Sequence, residues 1–289
     1  MRRRQVLALC SAGVAGLAGC SSGRDSGNDT PTDVTSTPST ATPTTTATAA
    51  PPETELTVEL DALQPALVEL DVDYYQLVAE DARQYLVLAV DVVSGSPPSR
   101  SALTFRFDGT EHAPRTWERI PARQSDGSGG EQYSDENGSG WVVFDLPETG
   151  AASAAALVWP SGEWRPGDQL KRRLAASLPP LTLEEWRGPE TVPLDGTTTF
   201  ELTVRNEGDE TGRFVGGING EGWYPHRPVA RVSRRIPPGK TATWEVTGEE
   251  IDLPEEGWSE RVGDEEADLQ YELIWPGGDD RESVRIVDE

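Results

Sequence analysis

Two histidines, His112 and His226, occupy matching contexts in this chain, each followed by one residue and then a proline. Histidine is the commonest general base, and these two are the only ones present. A catalytic pair would have to bring two equivalent places together, so capping a hairpin is the plainer role for each. Neither a Gly-x-Ser-x-Gly elbow nor a His-Glu-x-x-His run occurs. Among 50 Asp and Glu a glycosidase-like carboxylate pair can always be drawn, which deprives that pattern of information. Asp135, Asn137 and Ser139 have the spacing of the first ligands of a calcium loop. The twelfth position is Leu146, where a bidentate Glu is required. The runs Asp264-Glu265-Glu266 and Asp279-Asp280 read as solvated acidic surface. No catalytic residue, metal site or cofactor is assigned, and the chain is expected not to be an enzyme.

The aromatic residues offer a different chemistry. Nine Trp are present. Trp141, Trp159, Trp244 and Trp275 fall in strand-like patterns and are expected to pack sheets. Trp223 and Tyr224 lie in the Gly- and Pro-rich stretch NGEGWYPHRP. Rigid rings exposed on a loop suit the binding of a sugar or a peptide, so these two are the candidate ligand-binding residues.

The N-terminus carries an address. Arg2, Arg3 and Arg4 precede an apolar run from Val6 to Ala18, too short to span a bilayer comfortably. Arg3-Arg4-Gln5-Val6-Leu7 resembles a twin-arginine export signal, and Leu17-Ala18-Gly19-Cys20 resembles a lipobox. The resemblance implies cleavage before Cys20 and a lipid on its thiol, anchoring the protein to the outer face of the cell membrane. Cys10 would leave with the leader. The mature body then has no thiol and no disulfide, so its core alone must hold it. Residues 21–52 are Ser-, Thr-, Pro- and Ala-rich without an aromatic. Such a segment cannot bury apolar surface and reads as a disordered stalk, with a reach of roughly 30 Å. Asn28 in the stalk and Asn137 in a later loop begin glycosylation sequons.

The formal net charge is −25, with Lys171 and Lys240 the only lysines. A surface this acidic excludes nucleic acid as a partner. Salt should favour the fold by screening its self-repulsion. Acidic excess with so little lysine resembles the proteins of halophilic archaea.

From Glu53 the pattern changes to short β-branched and aromatic runs between turns, including TELTVEL (54–60), YLVLAVDVV (85–93), WVVFDL (141–146) and AALVW (155–159). GDQLKRRLAASL (167–178) is read as a last strand entering a linker. The second half repeats the order. Phe200, Leu202 and Val204 stand 115 residues after Tyr85, Val87 and Ala89; Ile236-Pro237 and Trp275-Pro276 stand 116 after Ile120-Pro121 and Trp159-Pro160. Asn219-Gly220 echoes Asp108-Gly109, and His226 echoes His112. A duplicated unit is expected.

The expected organisation is a signal peptide (1–19), a lipidated Cys20 with a disordered stalk (20–52), and two immunoglobulin-like β-sandwiches (53–178 and 179–289). Through QYLVLAVDV, FRFDGTEHAP, TTFELTVRNEG and IPPGKTATWEV, both halves resemble the Ig-like ectodomains of haloarchaeal surface lipoproteins. No active site travels with that resemblance. The expected function is binding, adhesion or envelope organisation at the cell surface. Two alternatives stand beside it: a glycan- or solute-binding module using Trp223 and Tyr224, and an envelope hydrolase with a carboxylate pair. The expected partners are the membrane, through Cys20, and an envelope glycan or surface protein.

Overall fold

The computed structural model describes residues 53–116, 120–121, 131–193, 196–221, 227–248 and 268–287. Cys20, Arg3, Arg4, Asn28, Trp223, Tyr224 and His226 lie outside the described residues. So do the acidic run 264–266 and the stalk.

The first half runs β1 (Glu55–Gln64), β2 (Leu67–Asp71), β3 (Tyr74–Val78), β4 (Arg83–Ser94), β5 (Thr104–Phe107), β6 (Thr110–His112), β7 (Ile120–Pro121), β8 (Ser139–Pro147), β9 (Ala156–Trp159), β10 (Gly162–Trp164) and α1 (Asp168–Ala175). The second runs β11 (Leu181–Arg187), β12 (Thr191–Pro193), β13 (Thr199–Asn206), β14 (Gly212–Glu221), β15 (Arg227–Ile236), β16 (Thr241–Thr247), β17 (Asp268–Trp275) and β18 (Gly278–Val287).

Each half is a two-sheet sandwich, and the two share one topology. In the first, β1-β4-β8 faces β10-β9-β5-β6; in the second, β11-β13-β16 faces β12-β18-β17-β14-β15. Leaving out the additions β2, β3, β7 and β12, the first, second and fifth framework strands of each half form one sheet. The third, fourth, sixth and seventh form the other, an immunoglobulin-like arrangement. One core gathers Leu86, Leu88, Val90, Phe105, Phe144 and Leu157. The other gathers Phe200, Leu202, Val204, Ile218, Leu273 and Val284. Phe200 sits between Trp186 and Tyr271, its ring centroid 5.7 and 4.9 Å from theirs.

The halves differ in what covers the outer face of the three-stranded sheet. Strand β13 alternates buried and open positions, as a strand covered on one side must. In β4, Tyr85, Leu86, Val87 and Leu88 are all buried. The hairpin β2–β3 covers the outer side of β4, where Leu67, Tyr85, Val87 and Val143 form a separate apolar cluster. This corrects the register of the repeat. Leu86, Leu88 and Val90 face the sandwich core as Phe200, Leu202 and Val204 do, whereas Tyr85 and Val87 face the hairpin. A spacing of 115 therefore pairs residues on opposite faces, because one residue of slip turns a strand over.

Two further expectations are corrected. Residues 168–175 form a helix, not a strand. Leu170 and Leu174, four apart, are its buried positions. Asp168 in the first turn and Arg172 and Arg173 in the last complement the helix dipole. Asn219-Gly220 is strand, within β14, whereas Asp108-Gly109 is a tight turn with both residues at positive φ.

ALVWPSGE (156–163) and ELIWPGGD (272–279), nearly one phrase written twice, form the same hairpin in each half. Trp159 pairs Gly162 across Pro160-Ser161, and Trp275 pairs Gly278 across Pro276-Gly277. Trp159 is buried, and Trp141, Trp244 and Trp275 pack half-buried against the cores.

Candidate functional site

The junction between the sandwiches is built from an alternating strand. On β14, Phe214 and Ile218 enter the second core. The intervening positions Arg213, Val215, Gly217 and Asn219 turn the other way, and three of them meet the β2–β3 hairpin. Val215 packs with Val68, Tyr75 and Leu77. The amide of Tyr75 donates to Asn219 Oδ1 at 2.7 Å, and Asn219 Nδ2 donates to the Tyr75 carbonyl at 3.0 Å. Gly217 lies against Tyr75 so closely that a Cβ there would stand 2.8 Å from the Tyr75 Cβ. The hairpin is thus a shared layer. Leu67 and Val78, a cross-strand pair, face the first sandwich; Val68 and Leu77, the next pair, face the second.

Beside this junction is a cleft of about 220 Å³. It is lined by Pro65 before β2, by Leu178 and Leu181 flanking the linker, by Arg213, and by Trp275 and Pro276 of the second doubled phrase. Arg213 is 4% exposed, and its Nη1 donates to Ser233 Oγ at 2.7 Å. Directly across the strand pair stands Arg235, whose Nη2 donates to the Asp61 carbonyl at 3.1 Å. The sequence could not signal this cleft, because its walls come from four separate places along the chain. Of the residues singled out from the sequence, the landmark pair Trp275-Pro276 lies on it.

A second polar cluster lies where the hairpin layer meets β8. Arg115 Nη1 donates to Asp145 at 2.7 Å and Nη2 to Glu69 at 3.3 Å. Arg100 donates to the Arg115 carbonyl. Burial works against the Arg115 cation, but Asp145 and then Glu69 outweigh it and hold its pKa above the ordinary arginine value. Tyr85 is fully buried beside them. Burial, reinforced by Asp145, pushes its phenol up to about 12. The Tyr85 phenol is thus held protonated beside an arginine that keeps its charge, and Arg115 neutralises the two carboxylates it bridges.

The Tyr85 shift carries a pH dependence. Its pKa is raised in the fold, so its contribution is complete below the unfolded value near 10 and is lost as pH climbs toward 12. Tyr133 is likewise pushed up to about 12, by burial and then Asp135. We expect tyrosinate absorbance at 295 nm to rise together with loss of circular dichroism above pH 10, with Tyr85→Phe moving that midpoint upward. A Tyr85→Phe midpoint identical to the wild type would contradict this.

Asn137 is exposed in the turn before β8, where its backbone N–H donates to Ser134 Oγ at 3.2 Å. His112 ends the β5–β6 hairpin opposite Phe105. Among the described residues, no three His, Cys, Asp or Glu side chains converge as metal ligands would. No helix there is long and apolar enough to cross a membrane.

No family model and no curated protein matches this chain. Among solved structures, it is similar to a GH2 beta-galacturonidase from Eisenbergiella tayi bound to galacturonate, at 9% identity and a TM-score of 0.27. A glycerol-bound structure of a GH2 beta-galacturonidase from the same organism gives 10% identity and a TM-score of 0.24. Each match covers 80% of this chain and 43% of the enzyme's. The chain therefore spans less than half the length of those enzymes, and likeness at this level carries no argument about activity or substrate.

Proposed function

We propose that this chain is a non-enzymatic, lipid-anchored protein of the outer membrane face, presenting two joined sandwiches for binding or adhesion. The observation that supports this best is the junction. A hairpin inserted in the first sandwich is shared with the second, so the two act as one body and not as beads on a string. Such a body suits presenting a recognition surface whose two halves keep a fixed relation to each other, on a flexible stalk beyond the anchor. The order of charged leader, apolar run, Cys20 and stalk supplies that anchor.

The test is fractionation of cells producing the full chain or Cys20→Ser. The wild type should sediment with membranes and take up labelled lipid. The variant should leave the membrane fraction almost entirely, because a processed stalk without its lipid has nothing to insert. Unchanged retention of Cys20→Ser on membranes would overturn the anchor.

A further inference from the structure

We propose that Asn137 carries an N-linked glycan on the folded body of the protein. The inference rests on the surface-protein reading, because sugars are attached at Asn-x-Ser/Thr in exported chains. It does not depend on whether Cys20 carries a lipid.

The first argument is where this chain keeps its asparagines. It has four, against 50 Asp and Glu. Asn206 and Asn219 are buried. Asn206 Nδ2 donates to the Glu210 and Ile236 carbonyls, both at 2.8 Å, while its Oδ1 accepts from the Gly208 amide at 2.9 Å. Asn219 Nδ2 donates to the Tyr75 carbonyl. A carboxylate has no N–H to give, so neither place could take an aspartate. The other two begin Asn28-Asp29-Thr30 and Asn137-Gly138-Ser139. Outside the two buried networks, asparagine occurs only at the head of a sequon.

The second argument is that the local structure gives Asn137 no other task. Asparagine in a turn is often explained by its tolerance of the left-handed region. Here Gly138 takes that conformation, at φ +65°, and Asn137 does not. The backbone N–H of Asn137 is met by Ser134 Oγ. Its side chain reaches Glu131 Oε2 at 3.5 Å, the outer limit of a hydrogen bond. Asp135 and Glu136, directly before it, are exposed acids in the same turn, so an aspartate would fit at 137 as well.

Access gives the third. Asn137 and Ser139 are exposed, with Gly138 buried between them. The Gly138 carbonyl accepts the Val92 amide at 2.8 Å, which fixes the middle of the sequon on β4 and leaves its two functional side chains open. Strand β4 ends at Ser94, the partner of Glu55. The sugar would therefore stand at the end of the first sandwich where the stalk enters. The co-reactant is a lipid-linked sugar phosphate. Asn137 Nδ2 bonds to the anomeric carbon, the bond from that carbon to the phosphate oxygen breaks, and the lipid phosphate leaves with the electron pair. The amide proton passes to solvent, and nothing is oxidised or reduced.

The test is mass spectrometry of the full chain and its peptides, isolated from the cells that naturally make it. The wild-type peptide containing Asn137 should exceed its sequence mass by a whole number of sugar residues in most copies. Asn137→Gln and Ser139→Ala should lose that mass, and Ser139→Thr should keep it. Should a variant fail to fold, the wild-type peptide decides alone. A bare Asn137 in a chain whose leader has been removed would overturn this inference and leave the surface reading standing. A chain that keeps its leader would overturn the surface reading, and this inference with it. Added mass that persists in Ser139→Ala would also overturn the proposal, because the sequon would not be directing it.

Discussion

Gly217→Leu should split the thermal unfolding of this protein into two transitions. In the wild type, the outer face of β14 rests on the hairpin that also covers the first sandwich. Even a methyl at 217 would approach the Tyr75 Cβ to 2.8 Å. A leucine cannot be accommodated by a rotamer change, because the obstruction lies at the first carbon of the neighbouring side chain. The hairpin must lift. Lifting it opens the Val68–Val215 contact and both hydrogen bonds between Tyr75 and Asn219. At about 1.5 kcal/mol for each buried valine and about 1 kcal/mol for each hydrogen bond, the coupling lost is on the order of 4–5 kcal/mol. Calorimetry should then show one transition for the wild type and two for the variant. Asn219→Ala, which removes the hydrogen bonds and keeps the apolar contact, should fall between them. A single transition in Gly217→Leu, within a degree or two of the wild type, would show that the sandwiches are not coupled through this face.

The other large effect is expected at Arg115. Arg115→Leu leaves Glu69 and Asp145 facing each other with no cation between. Glu69 is 10% exposed and Asp145 33% in their side chains. Removing one member of a buried ion cluster costs about 3–5 kcal/mol, and the openness of Asp145 puts this case at the lower end, about 3 kcal/mol. The urea midpoint should fall accordingly. Adding Glu69→Gln and Asp145→Asn to Arg115→Leu should recover part of the loss, since the uncompensated charges go while the shapes remain. A triple variant no more stable than Arg115→Leu would assign the loss to packing of the arginine stem.

What the sequence made legible follows from how local each signal is. The strand TFELTVRN alternates cleanly, and its buried face could be read residue by residue. In QYLVLAV almost every position is apolar, so period two has no phase to report, and the register of the repeat came out one residue off. The helix at 168–175 shows only two periodic leucines, and so short a segment is not stable alone. It is held from outside: Gln84 Nε2 donates to the Pro147 carbonyl at 2.9 Å and to the Leu174 carbonyl at 3.4 Å, tying the helix to the end of β8. The junction could not be read at all. Tyr75 and Asn219 are 144 residues apart, and Asn219-Gly220 carries the composition of a turn. Arg213 carries no local signal either, because its neighbour Arg235 is set opposite it only by the pairing of β14 with β15.

The first doubled phrase also determines how the body would bear a load. Thr54 donates its amide to Ser161 Oγ at 3.0 Å, and its carbonyl accepts the indole N–H of the buried Trp159, also at 3.0 Å. The Thr54 hydroxyl reaches the Ser96 carbonyl at 2.8 Å. Tension on the chain preceding Glu53 therefore meets a three-point grip before it reaches β1. Beyond that grip, β1 runs antiparallel to β4 along almost its whole length, so the pull is shared across many ladder bonds in shear. A pull directed along β1 must therefore load those ladder bonds together and not one at a time.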